Sequence, residues 1–291
     1  MTSEFDKYFT EVYKERWSLL KAALLVKEKQ VLRKNFFSQI QETYGLQHAF
    51  ERAYWMSEEF QTHQKELLRD QNDIFDYYIM DPASYLAVLH FPIRDTDKVL
   101  DMCAAPGGKS LILAEKIFSH GELIANELSE SRRSRLIKVV QNYIPKELRQ
   151  NIWVKGWDAQ FFGLKMPDNF DKVLLDAPCS GERHQLENQK EISEWSVKKA
   201  EKLAIRQYSL LASAYLALKS GGQLMYSTCS INPMENDQVI QKLVKKKKNI
   251  RVETIQWSLK NLQPEKTDNG YIFLPDKVGF GPIFFSLLTK L

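Results

Sequence analysis

From residue 98 onward, short apolar runs alternate with longer stretches in which apolar residues recur at helical spacing. Residues 98–101, 121–126, 151–154, 170–175 and 222–226 each read as a strand bounded by turn residues. Helices are expected at 110–118, from a Ser129 cap through Leu136 and Val140, across 195–218 and across 235–244. Late strands at 250–258 and 282–288 bring the strand count to seven. This alternation predicts an α/β, Rossmann-like domain with a mostly parallel seven-stranded sheet. Before residue 90 the pattern changes. Residues 3–90 show helix formers and no dense β-branched alternation, so a small helical N-terminal extension is expected. Pro92 marks the boundary. The predicted division is therefore 1–90 for the helical extension and 91–291 for the α/β domain.

In such sheets ligands bind beyond the carboxyl ends of the strands. Asp101, Glu127, Asp158, Asp176 and Cys229 all fall at or just past those predicted ends, so they should share one rim. Asp101-Met-Cys-Ala-Ala-Pro-Gly-Gly-Lys109 joins a strand to a helix, and its glycines let backbone pass close to a ligand. It has neither the spacing of a dinucleotide loop nor that of a phosphate loop. Glu127 lies 26 positions after Asp101, where an acid accepts hydrogen bonds from ribose hydroxyls. An acidic rim repels pyrophosphate. It suits a cofactor with adenosine, no phosphate and a cationic centre, which describes S-adenosylmethionine. Lys109, in the first turn of its helix, is poorly placed for the helix dipole. It either pairs with a rim acid or stays solvated.

Composition narrows the setting. The 291 residues carry a net charge of +4, and 44% of them are hydrophobic. Residues 1–90 hold 11 basic and 14 acidic side chains, the remainder 30 and 23, so anion binding is expected in the C-terminal part. No run of about 18 apolar residues appears, so no membrane span is expected. Three cysteines make no disulfide framework, and the start, Met1-Thr-Ser-Glu-Phe-Asp-Lys-Tyr8, resembles neither a secretory signal nor a presequence. The expectation is a cytoplasmic protein. There is no CxxC and only His184 neighbours a cysteine, so no metal is expected.

The cysteines sit in Leu100-Asp-Met-Cys-Ala-Ala105, Asp176-Ala-Pro-Cys-Ser180 and Tyr226-Ser-Thr-Cys-Ser-Ile-Asn-Pro-Met-Glu-Asn236. Cys103, beside alanines, suits a small buried hydrophobe. Cys179 and Cys229 offer two thiols on a rim with a carboxylate. Methylating C5 of cytosine requires such groups: a thiolate adds to C6 to make C5 nucleophilic, an acid manages N3, and a base removes the C5 proton.

The ordered set Asp81-Pro-Ala-Ser84, the Cys103 segment through Lys109, Asp176-Ala-Pro-Cys-Ser180, the Cys229 segment and Gly279-Phe-Gly-Pro-Ile-Phe-Phe285 resembles the Nop/Sun (Fmu-type) RNA cytosine-5 methyltransferases over residues 78–291. Arg183-His184 and the Phe-Gly-Pro ending look like the branch with mitochondrial rRNA and tRNA members. The resemblance implies a class I S-adenosylmethionine-dependent methyltransferase fold. It implies Cys229 as nucleophile, Cys179 in product release, Asp176 near N3 and Lys109 in the polar network. It also implies cofactor contacts from Ala104, Ala105, Pro106, Gly107, Gly108, Lys109, Ser110, Glu127, Asp158 and Asp176. The expected partner is RNA, ribosomal ahead of transfer RNA, with a ribosomal particle or an assembly factor as the further expected partner. A catalytically inactive RNA-binding assembly factor and a small-molecule methyltransferase are the alternatives; the second does not explain paired thiols. Trp157 and Tyr226 are candidate base platforms, with core packing the stronger reading for Tyr226. Arg132, Arg133, Arg135 and the 245–248 lysine run are candidate phosphate contacts, the run reading first as a solvated helix end.

Overall fold

The computed structural model describes residues 3–40, 45–57, 60, 67–118 and 120–291, without the side chains of 189–191. The expected seven strands form the main sheet: β5 (Lys98–Asp101), β6 (Glu122–Asn126), β7 (Ile152–Lys155), β8 (Phe170–Asp176), β9 (Leu218–Thr228), β10 (Ile250–Val252) and β13 (Ile283–Lys290). Two short strands, β11 (Glu265–Lys266) and β12 (Tyr271–Phe273), lengthen one edge. The order is β11-β12-β13-β9-β8-β5-β6-β7, with β10 also pairing β13. Strands β5 to β9 pair in parallel and β13 runs antiparallel to β9. Parallel strands must be near-continuously apolar because helices cover both faces. Val99, Leu100, Val173, Leu174, Leu224 and Met225 are all fully buried.

The chain before residue 90 differs from its reading. It does open with two helices, α1 (Glu4–Tyr13) and α2 (Trp17–Leu25). The "mostly helical" expectation for the rest is corrected. Strands β1 (Val31–Lys34), β2 (His48–Phe50), β3 (Ala53–Trp55) and β4 (Tyr77–Met80) make a four-stranded antiparallel sheet, ordered β2-β3-β1-β4. Each strand is three or four residues long, too short for a period-2 pattern to stand out. Much of 54–68, a less regular part of the stretch read as helical, lies outside the described residues, but Tyr54 and Trp55 are in β3.

Residues before 90 pack against both faces of the main sheet. Phe5 and Phe9 of α1 are fully buried, with Trp195 rings 5.5 and 5.7 Å away, on the face covered by α9 (Val197–Ala217) and α10 (Asp237–Lys246). Burying each such ring contributes about 1.5–3 kcal/mol. On the other face, Val31, Ala53 and Met80 join the core of α3 (Pro82–Leu89), α4 (Gly108–Ile117) and α5 (Glu130–Tyr143). There the fully buried Arg33 pairs with Glu115 of α4, which also accepts from Arg52 at 2.5 Å. Helix α3 starts as its sequence dictates. Asp81 accepts the Ser84 N–H at 2.6 Å as N-cap, and Pro82 occupies the first turn, where its missing N–H costs nothing.

Candidate active site

Because β5, β6, β7, β8 and β9 are parallel, the residues that follow them emerge along one edge. This places Asp101, Glu127, Asp158, Asp176 and Cys229 on a common rim, as their spacing required. Two adjoining cavities open there. One, of about 200 Å³, is lined by Tyr78, Asp101, Ala104, Ala105, Pro106 and Gly108 among others. The second, of about 340 Å³, is lined by Arg132, Ala177, Pro178, Cys179, Cys229 and Ile283. Ser84, Cys103, Lys109 and Asp176 line both, so the two spaces meet at these side chains.

Gly107 and Gly108 are there for space. Gly107 has φ +124°, a conformation L side chains rarely adopt. A Cβ on Gly108 would lie 2.7 Å from the Tyr78 ring. Tyr78 comes from β4, so the N-terminal sheet supplies a wall of the first cavity. Ser110, one turn along α4, donates to Asp101 Oδ2 at 2.6 Å and is buried. Burial pushes the Asp101 carboxyl up to about 7. Its Oδ1 has no hydrogen-bond partner. Glu127 also carries a buried oxygen, Oε2, without a hydrogen bond, and the Arg132 guanidinium stands 3.3 Å from it. Arg132 donates as well to the Ala105 carbonyl at 2.8 Å, so this arginine spans the glycine loop and the acid after β6.

Lys109 reaches Asp176 rather than solvent: Nζ lies 2.8 Å from Oδ2 and 3.3 Å from Ser84 Oγ. Burial alone would lower its pKa, but Asp176, followed by Asp81 and Cys229, raises it on balance. The other oxygen of Asp176 accepts from Ser227 Oγ at 2.7 Å, which fixes the carboxylate between β8 and β9.

Cys179 and Cys229 meet directly. Their sulfurs are 2.8 Å apart, both thiols are free, and Cys179 Sγ also accepts the Cys229 backbone N–H at 3.2 Å. Cys229 is exposed and Cys179 half-buried. The hydrogen bond from Cys229, and then burial, push the Cys179 thiol well above its ordinary value. The loop carrying Cys229 is held from beyond the main sheet: Tyr13 Oη donates to the Ile231 carbonyl at 2.6 Å and Tyr8 Oη to Asn232 Oδ1 at 2.8 Å.

Other expected residues lie away from this contact. Asp158 caps the turn Ala159–Phe161, accepting from the Gln160 N–H at 3.0 Å, and lines neither cavity. Cys103 is half-buried where the two cavities meet, and burial, then the acids Asp101, Asp176 and Glu127, raise its thiol. Tyr226 is fully buried and donates to the Glu235 carbonyl at 2.6 Å, so it is core and not a base platform. Trp157 is half-buried, packs on Phe162 and has Lys165 Nζ 4.7 Å from its ring centre. Arg133 turns back to the Glu127 carbonyl, whereas Arg135 is exposed. Of the lysine run, Lys246 sits over Tyr208 and Lys247 over Tyr215.

Sequence reasoning missed Glu182, Glu235, Tyr78 and the wall-forming role of Ser84. Glu235 stood within the Cys229 motif, but an acid two residues after a proline carries no sign of its partner. Among the described residues, no group of three His, Cys, Asp or Glu side chains could hold a metal ion, and no helix is long and apolar enough to cross a membrane.

The family model for 16S rRNA methyltransferase RsmB/F matches residues 88–289. The 5-cytosine rRNA methyltransferase NSUN4 of Mus musculus is 38% identical over 233 residues, covering 75% of this chain and 61% of that protein. The mitochondrial tRNA (cytosine(34)-C(5))-methyltransferase of the same organism is 34% identical, covering 74% and 64%. This chain thus spans about three fifths of the length of the curated relatives it matches. A methyltransferase homolog protein from Pyrococcus horikoshii superposes with a TM-score of 0.78 at 24% identity, covering 98% of this chain and 95% of that one, which shows the fold.

Proposed function

The chain belongs to the 16S rRNA methyltransferase RsmB/F family, and on that premise we propose that it methylates C5 of cytosine in RNA, ribosomal RNA first, using S-adenosylmethionine. The observation that carries this reading is the contact between Cys179 and Cys229 over the Lys109–Asp176 ion pair, in a cavity that joins the glycine loop. A small-molecule methyltransferase has no use for two thiols there.

The residues fit the cofactor. The unbonded, buried oxygens of Asp101 and Glu127 are acceptors suited to its hydroxyl and ammonium groups. Ala104 to Ser110, Glu127, Asp158 and Asp176 are the residues we assign to hold it. S-adenosylmethionine supplies a methyl group on a cationic sulfur. The acidic rim favours that charge.

The protein's own groups then act in order. The Cys229 thiolate bonds to C6 of the cytosine, and the C5=C6 electron pair becomes available at C5. Asp176, held by Lys109 and Ser227, steadies the base near N3. Once C5 carries the methyl group its proton must leave. The electrons of the C5–H bond then re-form C5=C6 and expel Cys229. Cys179 suits this release step. Its proton is held chiefly by the hydrogen bond with Cys229, and that bond is lost when Cys229 is tied to C6. Without that bond Cys179 gives up its proton to solvent more readily, and its thiolate is then available to take the C5 proton.

Residues 91–291 carry the reacting groups, and residues 1–90 wall the first cavity and brace the Cys229 loop. Arg132, Arg135 and Trp157 are the assigned RNA contacts nearest the rim. Transfer RNA is the second reading, because the mouse tRNA enzyme matches a similar share of the chain. The chemistry needs both sulfurs reduced, which the cytoplasm provides and a mitochondrial matrix provides equally.

The test uses tritiated S-adenosylmethionine with unmodified ribosomal RNA, transfer RNA and partly assembled small-subunit particles. Label in 5-methylcytidine of the ribosomal RNA, free or in particles, supports the proposal. Label in transfer RNA alone selects the second reading. RNA binding with no label in any pool makes the protein an inactive assembly factor and overturns the enzyme assignment.

A further inference from the structure

Directly beneath the two thiols lies a second pair of acids that the mechanism does not use. Glu182 opens α7 (Glu182–Glu187), and Glu235 lies in the turn before α10. Both are fully buried. Their inner oxygens converge on two hydroxyls. Ser180 Oγ contacts Glu182 Oε1 and Glu235 Oε1 closely. Ser230 Oγ lies 2.9 Å from Glu182 Oε1 and 3.3 Å from Glu235 Oε1, and the two hydroxyls are 3.3 Å apart. Among the described residues, no Lys, Arg or His side chain bonds to either carboxyl. Two adjacent carboxylates without a cation cannot both stay ionised in a buried site.

Counting protons gives the same result. Four oxygens touch at five places, and the two serines bring one proton each. Without a further proton, two anionic oxygens face each other across hydroxyls that can serve only one acceptor apiece. The outer oxygens say where that proton sits. Glu235 Oε2 accepts from the Ser180 N–H at 2.9 Å and from Gln207 Nε2 at 2.8 Å. Glu182 Oε2 accepts the Ile231 N–H, at 2.9 Å, and the Glu182 carboxyl is also bonded by its own backbone N–H. The Gln207 amide, a donor from outside both segments, favours the anion on Glu235.

We propose that Glu182 and Glu235 share one proton, carried on Glu182, and that this neutral–anionic pair is the positioning element that holds Cys179 and Cys229 together. The connectivity supports it. Four of the pair's hydrogen bonds cross between the Cys179 segment with the start of α7 and the Cys229 segment: Ser180 reaches Glu235 through its N–H and its hydroxyl, and Ser230 and Ile231 reach Glu182. Ser180 and Ser230 each directly follow one of the cysteines. The groups facing the pair are Cys179 on its loop, Tyr8 and Tyr13 from α1, Tyr226 from β9 and Gln207 from α9. None of them is a cation. Burial and then Glu235 raise Glu182 to about 7. The inference rests on the proposed function only for its turnover readout.

The test combines thiol alkylation and turnover across pH. Iodoacetamide labelling of Cys229, read by mass spectrometry on the whole protein, should change slope near pH 7 as the shared proton is lost. Glu182→Gln places an uncharged donor where the protonated carboxyl stands, so that break should move up by at least one unit or vanish. Glu182→Ala should slow turnover more than about tenfold, and Glu182→Gln should recover most of that loss. A labelling profile in Glu182→Gln that overlays the wild type would overturn the shared proton. Equal loss of turnover in the Gln and Ala variants would overturn it too. Labelling does not need RNA, so it stands even if the methylation reading fails.

Discussion

Cys179 and Cys229 place their sulfurs 2.8 Å apart from loops that are 50 residues distant in sequence. The backbone N–H of Cys229 points at the Cys179 sulfur, at 3.2 Å, so the two thiols form one unit. Cys229 is the exposed member, and Cys179 is half-buried with its thiol pushed up by the hydrogen bond from Cys229. Cys229→Ala should therefore lose turnover and retain cofactor binding by calorimetry. Cys179→Ala should form the bond to C6 and fail to release it. A protein–RNA adduct should then persist on denaturing gels with a substrate that wild type methylates. Turnover near the wild-type rate in Cys229→Ala would remove the nucleophile assignment.

Asp176 is bound on both oxygens, by Lys109 and by Ser227. Asp176→Asn keeps the shape and removes the charge that Lys109 balances. Its kcat should fall by about a hundredfold or more, the range expected when a group that handles a proton or its charge is lost. Lys109→Met should fall less in kcat and raise KM for the cofactor, because it frees Asp176 without removing it. Steady-state kinetics on both variants separates the two roles.

Gly108 faces the Tyr78 ring with no room for a methyl group. Gly108→Ala should cost about 1–3 kcal/mol through overpacking. It should also weaken cofactor binding, because the displaced ring belongs to the cavity wall. Thermal unfolding with and without S-adenosylmethionine measures both effects at once.

Arg33, Glu115 and Arg52 tie the N-terminal sheet to α4. Glu115→Ala would leave the Arg33 guanidinium buried with no carboxylate. A loss of about 3–5 kcal/mol in urea unfolding is expected. Glu115→Ala with Arg33→Leu should recover part of it.

Asp101 and Glu182 both have folded-state values of about 7, above the ordinary carboxyl range. Between roughly pH 4 and pH 7 the folded state therefore holds more protons than the unfolded chain. Stability from these groups is complete below that window and is lost as pH rises through about 7. The melting temperature should fall from pH 5 to pH 8. Asp101→Asn should flatten part of that slope. A melting temperature that rises over this range in the wild type would contradict the direction.

Much of this was legible in the residues. Acids at or just past successive strand ends, a glycine loop after the first of them and cysteines at two later strand ends are local features, and a parallel sheet turns such features into one rim. Helices with clear caps, such as the one begun by Ser129, also show in a single stretch of chain. The tertiary structure alone decided what depends on distant partners. Lys109 could have been solvated, and only the approach of β8 made it an ion pair. Short strands such as β1 and β4 have too few residues to show a period, and they exist because they pair with each other. The glutamates beneath the thiols, which hold two loops by a proton that neither sequence segment implies, become a unit only when both segments are buried together.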